Sequence, residues 1–242
     1  MKNLVKTLAG LVTALSIGAA FAAGAGYPLD RFPTEKLTQQ PALQNGAKLF
    51  VNYCLNCHGA ALMRYNRLQD IGLTDDQIRK SLLFTADKVG EQMQVAMRPV
   101  EAKQWFGVAP PDLTIIARAR SSEFGSGSDW LYTYLRGFYR DENRPNGWNN
   151  KVFENVGMPH VLWELQGEQV LDENRELKLA KPGKLKPAEY DELVADLVGF
   201  LKYMSEPVAA TRKSLGWIVL LFLGVLFVLT YALKREFWKD VH

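Results

Sequence analysis

Cysteine and histidine are scarce in this chain of 242 residues, which has two cysteines and three histidines. The two cysteines, Cys54 and Cys57, enclose a loop too small for the disulfide framework that stabilises many exported proteins. A structural zinc site needs about four ligands, and beyond His58 the chain has only His160 and His242 to offer. The shortage of both residue types therefore argues against a disulfide scaffold and against zinc.

Patterns that indicate several other classes of protein are also missing. The sequence has no internal repeat, no glycine-rich loop that could hold a phosphate group, and no constellation typical of a hydrolase. Its formal net charge of +3 is misleading, because residues 24–211 contain 22 Lys and Arg against 24 Asp and Glu, a net charge of −2. A mildly acidic domain argues against nucleic acid as a partner and favours a basic protein instead.

A long apolar run is present near the end of the chain. Residues 215–233 contain no charged side chain, and as a helix they would be about 29 Å long, close to the thickness of the hydrocarbon core of a bilayer. Trp217 and Tyr231 lie near its two ends, as interfacial aromatic residues do, and basic residues bracket it. We predict one transmembrane helix over residues 211–234 in the lipid bilayer, followed by a short cytoplasmic tail over residues 235–242.

The N-terminus has the pattern of a secretory signal peptide. Two lysines form a charged start, the following residues are small and apolar, and Ala20-Phe21-Ala22 matches an A-x-A cleavage site. A retained N-terminal anchor is the alternative, but the apolar stretch is too short to span a bilayer. We therefore predict a signal peptide over residues 1–22 and a periplasmic domain over residues 23–210, tethered to the bacterial inner membrane.

The residue after the second cysteine is a histidine, so residues 54–58 read Cys-Leu-Asn-Cys-His. A thioredoxin-like dithiol would need a strand before the pair and a long helix after it, and the flanking sequence has no such pattern. Two thiols three residues apart on a helical turn can each form a thioether with a vinyl group of haem, and the next residue can then direct its imidazole at the iron. We predict one covalent haem c, attached at Cys54 and Cys57, with His58 as an iron ligand.

A second protein ligand is expected on the opposite face of the iron. The candidates are Met63, Met93, Met97, Met158, Met204 and His160. Met63 lies too close to His58 in the chain to reach around the ring. Met93 and Met97 have the spacing of one helix face turned towards the core, and Met204 belongs to the last helix before the membrane.

Met158 is the ligand that we predict. It lies between Gly157 and Pro159, which favour an irregular loop rather than a helix. His160 is the second choice and Met97 the third. A thioether ligand stabilises ferrous iron relative to a second imidazole, and a site with both axial positions filled transfers electrons instead of binding oxygen.

Helical periodicity predicts the elements around this site. The stretch PALQNGAKLFVNYC has an apolar face that includes Gly46, and a second apolar stripe begins near Pro187, so the two helices are expected to cross closely at the glycine. A third helix, DWLYTYLRGFY, is expected to have Asp129 or Ser128 as its N-cap. The charged stretch over residues 170–186 is expected to be a surface excursion or a hairpin.

Two features of the segment VAPPDLTIIARAR point towards the haem. Pro110 and Pro111 have no amide protons, and the carbonyl of one of them is predicted to accept a hydrogen bond from Nδ1 of His58, which would fix the imidazole tautomer. Arg118 and Arg120 are two residues apart, so at most one of them faces a haem propionate. Arg120 is the one that we predict.

The order of these motifs resembles the cytochrome c1 family, the haem subunits of the cytochrome bc1 complex. The segments that carry the resemblance are NYCLNCH with RYNRL after it, APPDLTIIARAR, NVGMPH, and a C-terminal anchor after SEP. The fold expected is mainly α, a class-I cytochrome c-like haem domain with long loop insertions plus one C-terminal transmembrane helix.

The resemblance implies a set of site residues. These are Cys54 and Cys57 as thioether sites, His58 and Met158 as axial ligands, and Pro110, Pro111, Leu113 and Arg120 as pocket residues, with Arg120 near a propionate. Members of the family commonly have tyrosine where this chain has Trp130. An indole can still donate one hydrogen bond, so we predict Trp130 as a pocket residue.

The resemblance also implies partners. During ubiquinol oxidation the haem would accept one electron from the Rieske iron-sulfur protein and pass it to a soluble or membrane-tethered cytochrome c. The tail helix would hold the domain against cytochrome b in a dimeric complex, and the chain would be an electron carrier and no enzyme by itself. Two alternatives stay open: an independent membrane-tethered shuttle, and a haem enzyme or gas sensor with an open distal site.

Overall fold

The computed structural model of the protein describes residues 27–95 and 97–240. The predicted signal peptide, residues 1–22, lies outside the described residues. The helices are α1 (Gln40–Leu49), α2 (Asp75–Ser81), α3 (Pro99–Phe106), α4 (Ile116–Ala119), α5 (Gly127–Arg136), α6 (Trp163–Gln166), α7 (Pro187–Ser205) and α8 (Ala209–Phe237). Shorter helical turns are 3-10 helices at Thr34–Thr38 and Tyr65–Ile71 and a π-helical turn at Phe50–Cys54.

Three two-stranded antiparallel sheets complete the secondary structure of the described residues. The strands are β1 (Ala60–Arg64) with β2 (Gln92–Met93), β3 (Phe138–Arg140) with β4 (Trp148–Asn150), and β5 (Gly167–Leu171) with β6 (Leu177–Pro182). The last hairpin confirms the hairpin expected around residues 170–186. The fold is mainly helical with few short strands, as the sequence predicts.

The crossing of α1 and α7 forms the centre of the core. A Cβ atom on Gly46 would overlap the carbonyl oxygen of Asp196 and would lie 2.7 Å from Cβ of Phe200. Only a residue without a side chain fits there, which confirms the close crossing predicted at this glycine. The rings of Phe50 and Phe200 pack beside it, with centroids 5.7 Å apart.

Two further contacts of α7 fix the elements that surround the site. The buried hydroxyl of Tyr190 donates a hydrogen bond of 2.9 Å to the carbonyl of Leu135, which ties α5 to α7. At the other end of α7, Ser205 Oγ donates to the carbonyl of Thr114 at 3.1 Å and accepts from the amide of Ala117 at 3.2 Å. The segment before and within α4 is therefore held by the same helix that packs against α1.

The N-cap of α5 differs from the prediction of Asp129 or Ser128. Ser126 is the N-cap, its Oγ accepting from the amide of Asp129, while the Asp129 carboxylate accepts from the amide of Ser126. This reciprocal capping box begins the helix two or three residues earlier than expected. The other carboxylate oxygen of Asp129 accepts from the amide of Phe32 at 2.7 Å, so the cap also fixes the N-terminal segment.

Helix α8 is continuous from Ala209 to Phe237. The most apolar 18-residue window within Ser214–Phe237 has a mean hydropathy of 2.4, and none of that window is buried against the rest of the described chain. The helix is thus long and apolar enough to cross a bilayer, and it extends three residues beyond position 234, the predicted end of the transmembrane segment. Its large apolar side chains from Leu215 to Phe237 are exposed.

Candidate haem site

The two cysteines lie where α1 ends in a tight turn. The π-helical turn Phe50–Cys54 continues α1, and the amides of Cys57 and His58 then donate to the carbonyl of Cys54 at 3.0 and 2.8 Å. Both thiols and the imidazole are therefore carried on consecutive turns of one helical segment. No strand precedes the pair among the described residues, contrary to what a thioredoxin-like dithiol requires.

The environment of the thiols keeps them uncharged. Burial raises the pKa of Cys54 to about 12 and also raises the pKa of Cys57, which is partly exposed. Reactive dithiols instead have thiols of depressed pKa, beside positive groups or helix N-termini. These two cysteines are thus unlike a redox-active pair.

His58 is held by one hydrogen bond that decides its tautomer. The side chain is buried, with 9% of its surface exposed, and Nδ1 lies 2.8 Å from the carbonyl oxygen of Pro111. A carbonyl can only accept, so Nδ1 carries the proton and Nε2 keeps a free lone pair. This confirms the hydrogen bond predicted to one of the two proline carbonyls and identifies it as that of Pro111.

Burial lowers the pKa of His58, against the opposing effects of the Pro111 hydrogen bond and of nearby Asp112. The imidazole is therefore neutral at physiological pH. Within the described part of the chain, Nε2 makes no hydrogen bond. A neutral imidazole with an unused nitrogen is the form that binds a metal ion.

Asp112 is a positioning residue that sequence reasoning missed. Its carboxylate accepts from the amide of Ala61 at 2.7 Å, and the neighbouring amide of Leu113 donates to the carbonyl of Gly59 at 2.8 Å. These bonds fasten the Pro110-Pro111 segment to the residues that directly follow His58. An acidic residue after two prolines is the only signal in the sequence that could have suggested such a contact.

Met158 lies in an irregular loop, as predicted, between α5 and α7. Its side chain is half-buried, and its sulfur accepts a hydrogen bond from the hydroxyl of Tyr134 at 3.4 Å. The carbonyl of the preceding Gly157 accepts from Nδ2 of Asn146 at 3.1 Å, which fixes the loop. Tyr134 did not feature in the sequence-based prediction, although its spacing of four residues from Trp130 places two aromatic rings on one face of α5, with Phe138 following in β3.

The structure separates the remaining candidates for the second ligand. Met63, Met93 and Met204 are at most 3% exposed and belong to the hydrophobic core. The helix predicted for Met93 and Met97 is wrong, because Met93 lies in β2 opposite Ala60. Met97 is half-buried in the loop that follows that strand.

His160 occupies an aromatic cluster. Its ring stacks on Phe138, with centroids 4.8 Å apart and planes 5° apart, and it meets the edge of Trp148 at 5.0 Å. Burial lowers the pKa of His160 to about 4, and the nearby side chain of Gln166 offsets part of this effect. Nε2 of His160 has no hydrogen-bond partner among the described residues. Packing on both sides leaves this imidazole little room to turn towards a second group.

The two arginines after the proline segment lie in different surroundings. The guanidinium of Arg120 lies 4.5 Å from the ring centroid of Trp130 and 5.7 Å from that of Phe153. Arg118 is 60% exposed and only approaches Glu206, at 4.0 Å. Arg120 makes no ion pair with any described residue, so a half-buried positive charge beside an indole is available to an anionic group.

These residues fit a covalently attached haem. Two uncharged thiols, a neutral imidazole with a free nitrogen, a thioether sulfur and an unpaired guanidinium are the donor set that such a group requires. Together with the mainly helical fold and the long apolar helix at its end, they define the class of membrane-anchored c-type haem proteins.

Comparison with known proteins agrees with that class. The model of the Cytochrome C1 family matches residues 32–241, and the chain belongs to this family. It is 51% identical over 224 residues to a protein from Nitrosomonas europaea named ammonia monooxygenase gamma subunit, covering 92% of this chain and 93% of the relative. It is 47% identical over 236 residues to cytochrome c1 from Allochromatium vinosum, covering 93% and 94%, and 29% identical over 228 residues to cytochrome c1 from Rhodospirillum rubrum, covering 84% and 82%.

Membership of the family defines the general role of the chain. Proteins of the cytochrome c1 family carry one covalently bound haem c and transfer electrons in the cytochrome bc1 complex, a membrane-bound oxidoreductase. The chain is thus a haem-carrying subunit of that complex, anchored in a membrane. This role follows from the family and not from the name of the Nitrosomonas europaea relative.

Proposed function

We propose that Cys54 and Cys57 form the two thioether bonds to haem c, and that His58 Nε2 and Met158 Sδ bind its iron from opposite faces. The observation that carries this proposal is the hydrogen bond from His58 Nδ1 to Pro111, because it leaves Nε2 free on the residue that directly follows Cys57. When bound, the haem supplies a one-electron couple. The protein's part is to hold the imidazole neutral, to fix its orientation and to keep water away.

The pocket residues have supporting roles in this proposal. Arg120 and Trp130 hold a propionate, the first by charge and the second through its indole N–H, which has no hydrogen-bond partner among the described residues. Pro110 and Leu113 would line the haem pocket, while Pro111 acts through its carbonyl, which accepts from His58. A cation already stacked on an indole loses less freedom when it binds a carboxylate than a mobile arginine would.

The proposed electron path runs from the Rieske iron-sulfur protein through this haem to a soluble or membrane-tethered cytochrome c. The chain carries single electrons and does not itself oxidise quinol. It contacts cytochrome b within a dimeric complex and has no nucleic acid partner. Copurification of a dihaem cytochrome b with the full chain supports this assembly, and isolation as a lone shuttle contradicts it.

The proposed topology places the haem domain, residues 23–210, in the periplasm after removal of residues 1–22. The membrane segment, residues 211–234, is followed by a cytoplasmic tail over residues 235–242. The apolar surface of α8 supports the membrane segment. Protease added to intact spheroplasts should degrade the haem domain and leave the tail protected.

Replacement of Met158 by Leu tests the axial assignment. We expect the haem to stay attached through its thioethers, its midpoint potential to fall, and the ferrous protein to gain affinity for carbon monoxide, because the sulfur ligand is gone. Haem staining after denaturing electrophoresis, redox titration and carbon monoxide difference spectra measure these three properties.

The matched control is Met204→Leu, which changes a methionine buried in α7. A volume-conserving exchange of this kind costs less than about 1.5 kcal/mol, so the potential should stay at the wild-type value. A Met158→Leu protein with an unchanged potential and no carbon monoxide binding would assign the ligand to another residue.

A further inference from the structure

The hydroxyl of Tyr134 has a single hydrogen-bond partner among the described residues, and that partner is the sulfur of Met158. The donor and acceptor atoms are 3.4 Å apart, an ordinary distance for a bond to sulfur. Tyr134 is 7% exposed. A buried hydroxyl without a partner costs free energy, and this contact gives the hydroxyl of Tyr134 its partner.

The position of this hydroxyl is fixed by its surroundings. The Tyr134 ring stacks on Trp130, with centroids 4.7 Å apart and planes 13° apart, and Phe138 packs against it edge-on at 5.1 Å. Its carbonyl accepts from Nδ2 of Asn150, which is fully buried, at 2.8 Å. Ring and backbone are thus both held, and the hydroxyl is directed at the methionine loop without freedom to choose another acceptor.

We propose that Tyr134 is a positioning residue that tunes the iron through Met158. A thioether sulfur has two lone pairs, so one can bind a metal ion while the other accepts a hydrogen bond. The hydrogen bond withdraws electron density from the sulfur and weakens its donation to ferric iron more than to ferrous iron. Tyr134 thereby raises the reduction potential, as hydrogen bonds to metal-bound sulfur do in other redox sites.

This inference rests on the proposed role of Met158 as an axial ligand. The alternative is that Tyr134 only fills the core beside Trp130. The two roles differ in one respect: a packing role depends on the ring of Tyr134, whereas an effect on the reduction potential depends on its hydroxyl oxygen. Removal of that oxygen alone therefore separates them.

The test is Tyr134→Phe in the full chain, purified within its membrane complex. The ring still stacks on Trp130, so we expect full covalent haem and a thermal unfolding temperature close to that of the wild type. We expect the midpoint potential to fall and the far-red absorption band of sulfur-to-iron charge transfer to shift without disappearing.

The matched control is Tyr132→Phe. Tyr132 is also buried in α5, but it faces the other way, with Arg136 4.1 Å from its ring centroid and Phe32 against its edge. Its potential and far-red band should equal those of the wild type. A fall of the same size in both variants would show a general effect of core tyrosines and overturn the inference.

A second measurement places the effect on the sulfur. In a Met158→His background the sulfur is absent, so Tyr134→Phe should change the potential by clearly less than it does in the wild-type background. An equal change in both backgrounds would overturn the role of the hydrogen bond to Met158.

Failure of this inference and failure of the axial assignment give different results. If the wild-type protein lacks the far-red band, Met158 is not the ligand and the proposed site is wrong. If the band is present and Tyr134→Phe alters neither the band nor the potential, the axial assignment stands and the inference alone is overturned.

Discussion

At the scale of single residues, one backbone carbonyl decides which nitrogen of His58 is free. The Pro111 carbonyl accepts from Nδ1, and the Asp112 carboxylate holds that carbonyl in place through the amide of Ala61. Proline has no amide proton to offer, so the chain at this point presents acceptors only. The tautomer of the imidazole is therefore a property of the loop rather than of the histidine.

Charge pairing at Glu168 provides a prediction about pH. Hydrogen bonds from Arg140 at 2.9 Å and Lys181 at 3.0 Å lower the pKa of Glu168 to about 2, below its ordinary value of 4.5. A carboxyl group whose pKa is lower in the folded state than in the unfolded state stabilises the protein at pH values above the unfolded-state pKa. This stabilisation is lost as pH falls from 4.5 towards 2. We expect Glu168→Gln to lower the free energy of unfolding at neutral pH by up to about 1 kcal/mol. The effect is small because Arg140 and Lys181 are exposed, and solvent screens their interaction with Glu168.

The difference in the free energy of unfolding between Glu168→Gln and the wild type should shrink as pH falls and vanish near pH 2. Chemical denaturation at a series of pH values measures it. Glu154→Gln is the control, because its ion pair with Arg175 at 3.0 Å is exposed on both sides. A difference that grows towards low pH would mean that the carboxylate of Glu168 is not stabilised in the folded protein.

At the scale of helices and strands, the crossing of α1 and α7 determines where the cysteines lie. The thiols follow directly from the end of α1, so a change in the separation of the two helices moves Cys54 and His58 together. The same α7 fastens α4 through Ser205 and α5 through Tyr190. One helix thus positions the segment that runs from Pro111 into α4 and the helix α5, which carries Tyr134, the partner of Met158.

Gly46→Ala tests the crossing. The new methyl group would meet the backbone of Asp196, which cannot move aside as a flexible side chain would. Overpacking of this kind costs about 1–3 kcal/mol or more, so we expect a lower unfolding temperature and less mature haem protein. Thermal unfolding followed by circular dichroism, together with haem staining, measures both.

Gly90→Ala is the matched control for the crossing, because a methyl group there meets no atom within 4 Å among the described residues. It should leave both measurements unchanged. Equal stability of the Gly46→Ala protein would mean that α1 and α7 can separate without loss, contrary to the packing described here.

At the scale of the whole molecule, the chain divides into a packed domain and a bare apolar helix. Because the apolar part of α8 is not buried against the domain, its removal should cost the domain little stability. A chain that ends at Pro207 is expected to be exported, to attach haem and to appear in the soluble fraction. Cell fractionation and haem staining measure the outcome.

A chain that lacks only residues 238–242 is the control for this deletion, since it keeps α8 from Ala209 to Phe237 and should stay in the membrane. Loss of covalent haem in the chain that ends at Pro207 would show that the anchor contributes to folding of the domain as well as to its location.

The sequence predicted correctly those features that depend on residues close together in the chain, and it failed for features that depend on distant residues. The crossing at Gly46 was predictable because helical period and the missing side chain are visible locally. The cap of α5 was predicted wrongly, since Ser126, Ser128 and Asp129 can all serve as caps, and the choice of Ser126 depends on Asp129 also reaching the distant amide of Phe32. The helix expected around Met93 became a strand because pairing with β1 outweighs the local spacing.

The sequence by itself determined the features set by short spacing: two thiols and an imidazole on one turn, a loop around Met158, and an apolar helix of membrane length. Covalent geometry and helical period fix such features wherever the chain lies. Only the tertiary structure decided which of the two proline carbonyls holds His58, that of Pro111, 53 residues away, and that the hydroxyl of Tyr134, 24 residues away, meets Met158. The physical reason is that contacts between distant residues depend on how α1, α5 and α7 pack, which no local pattern encodes.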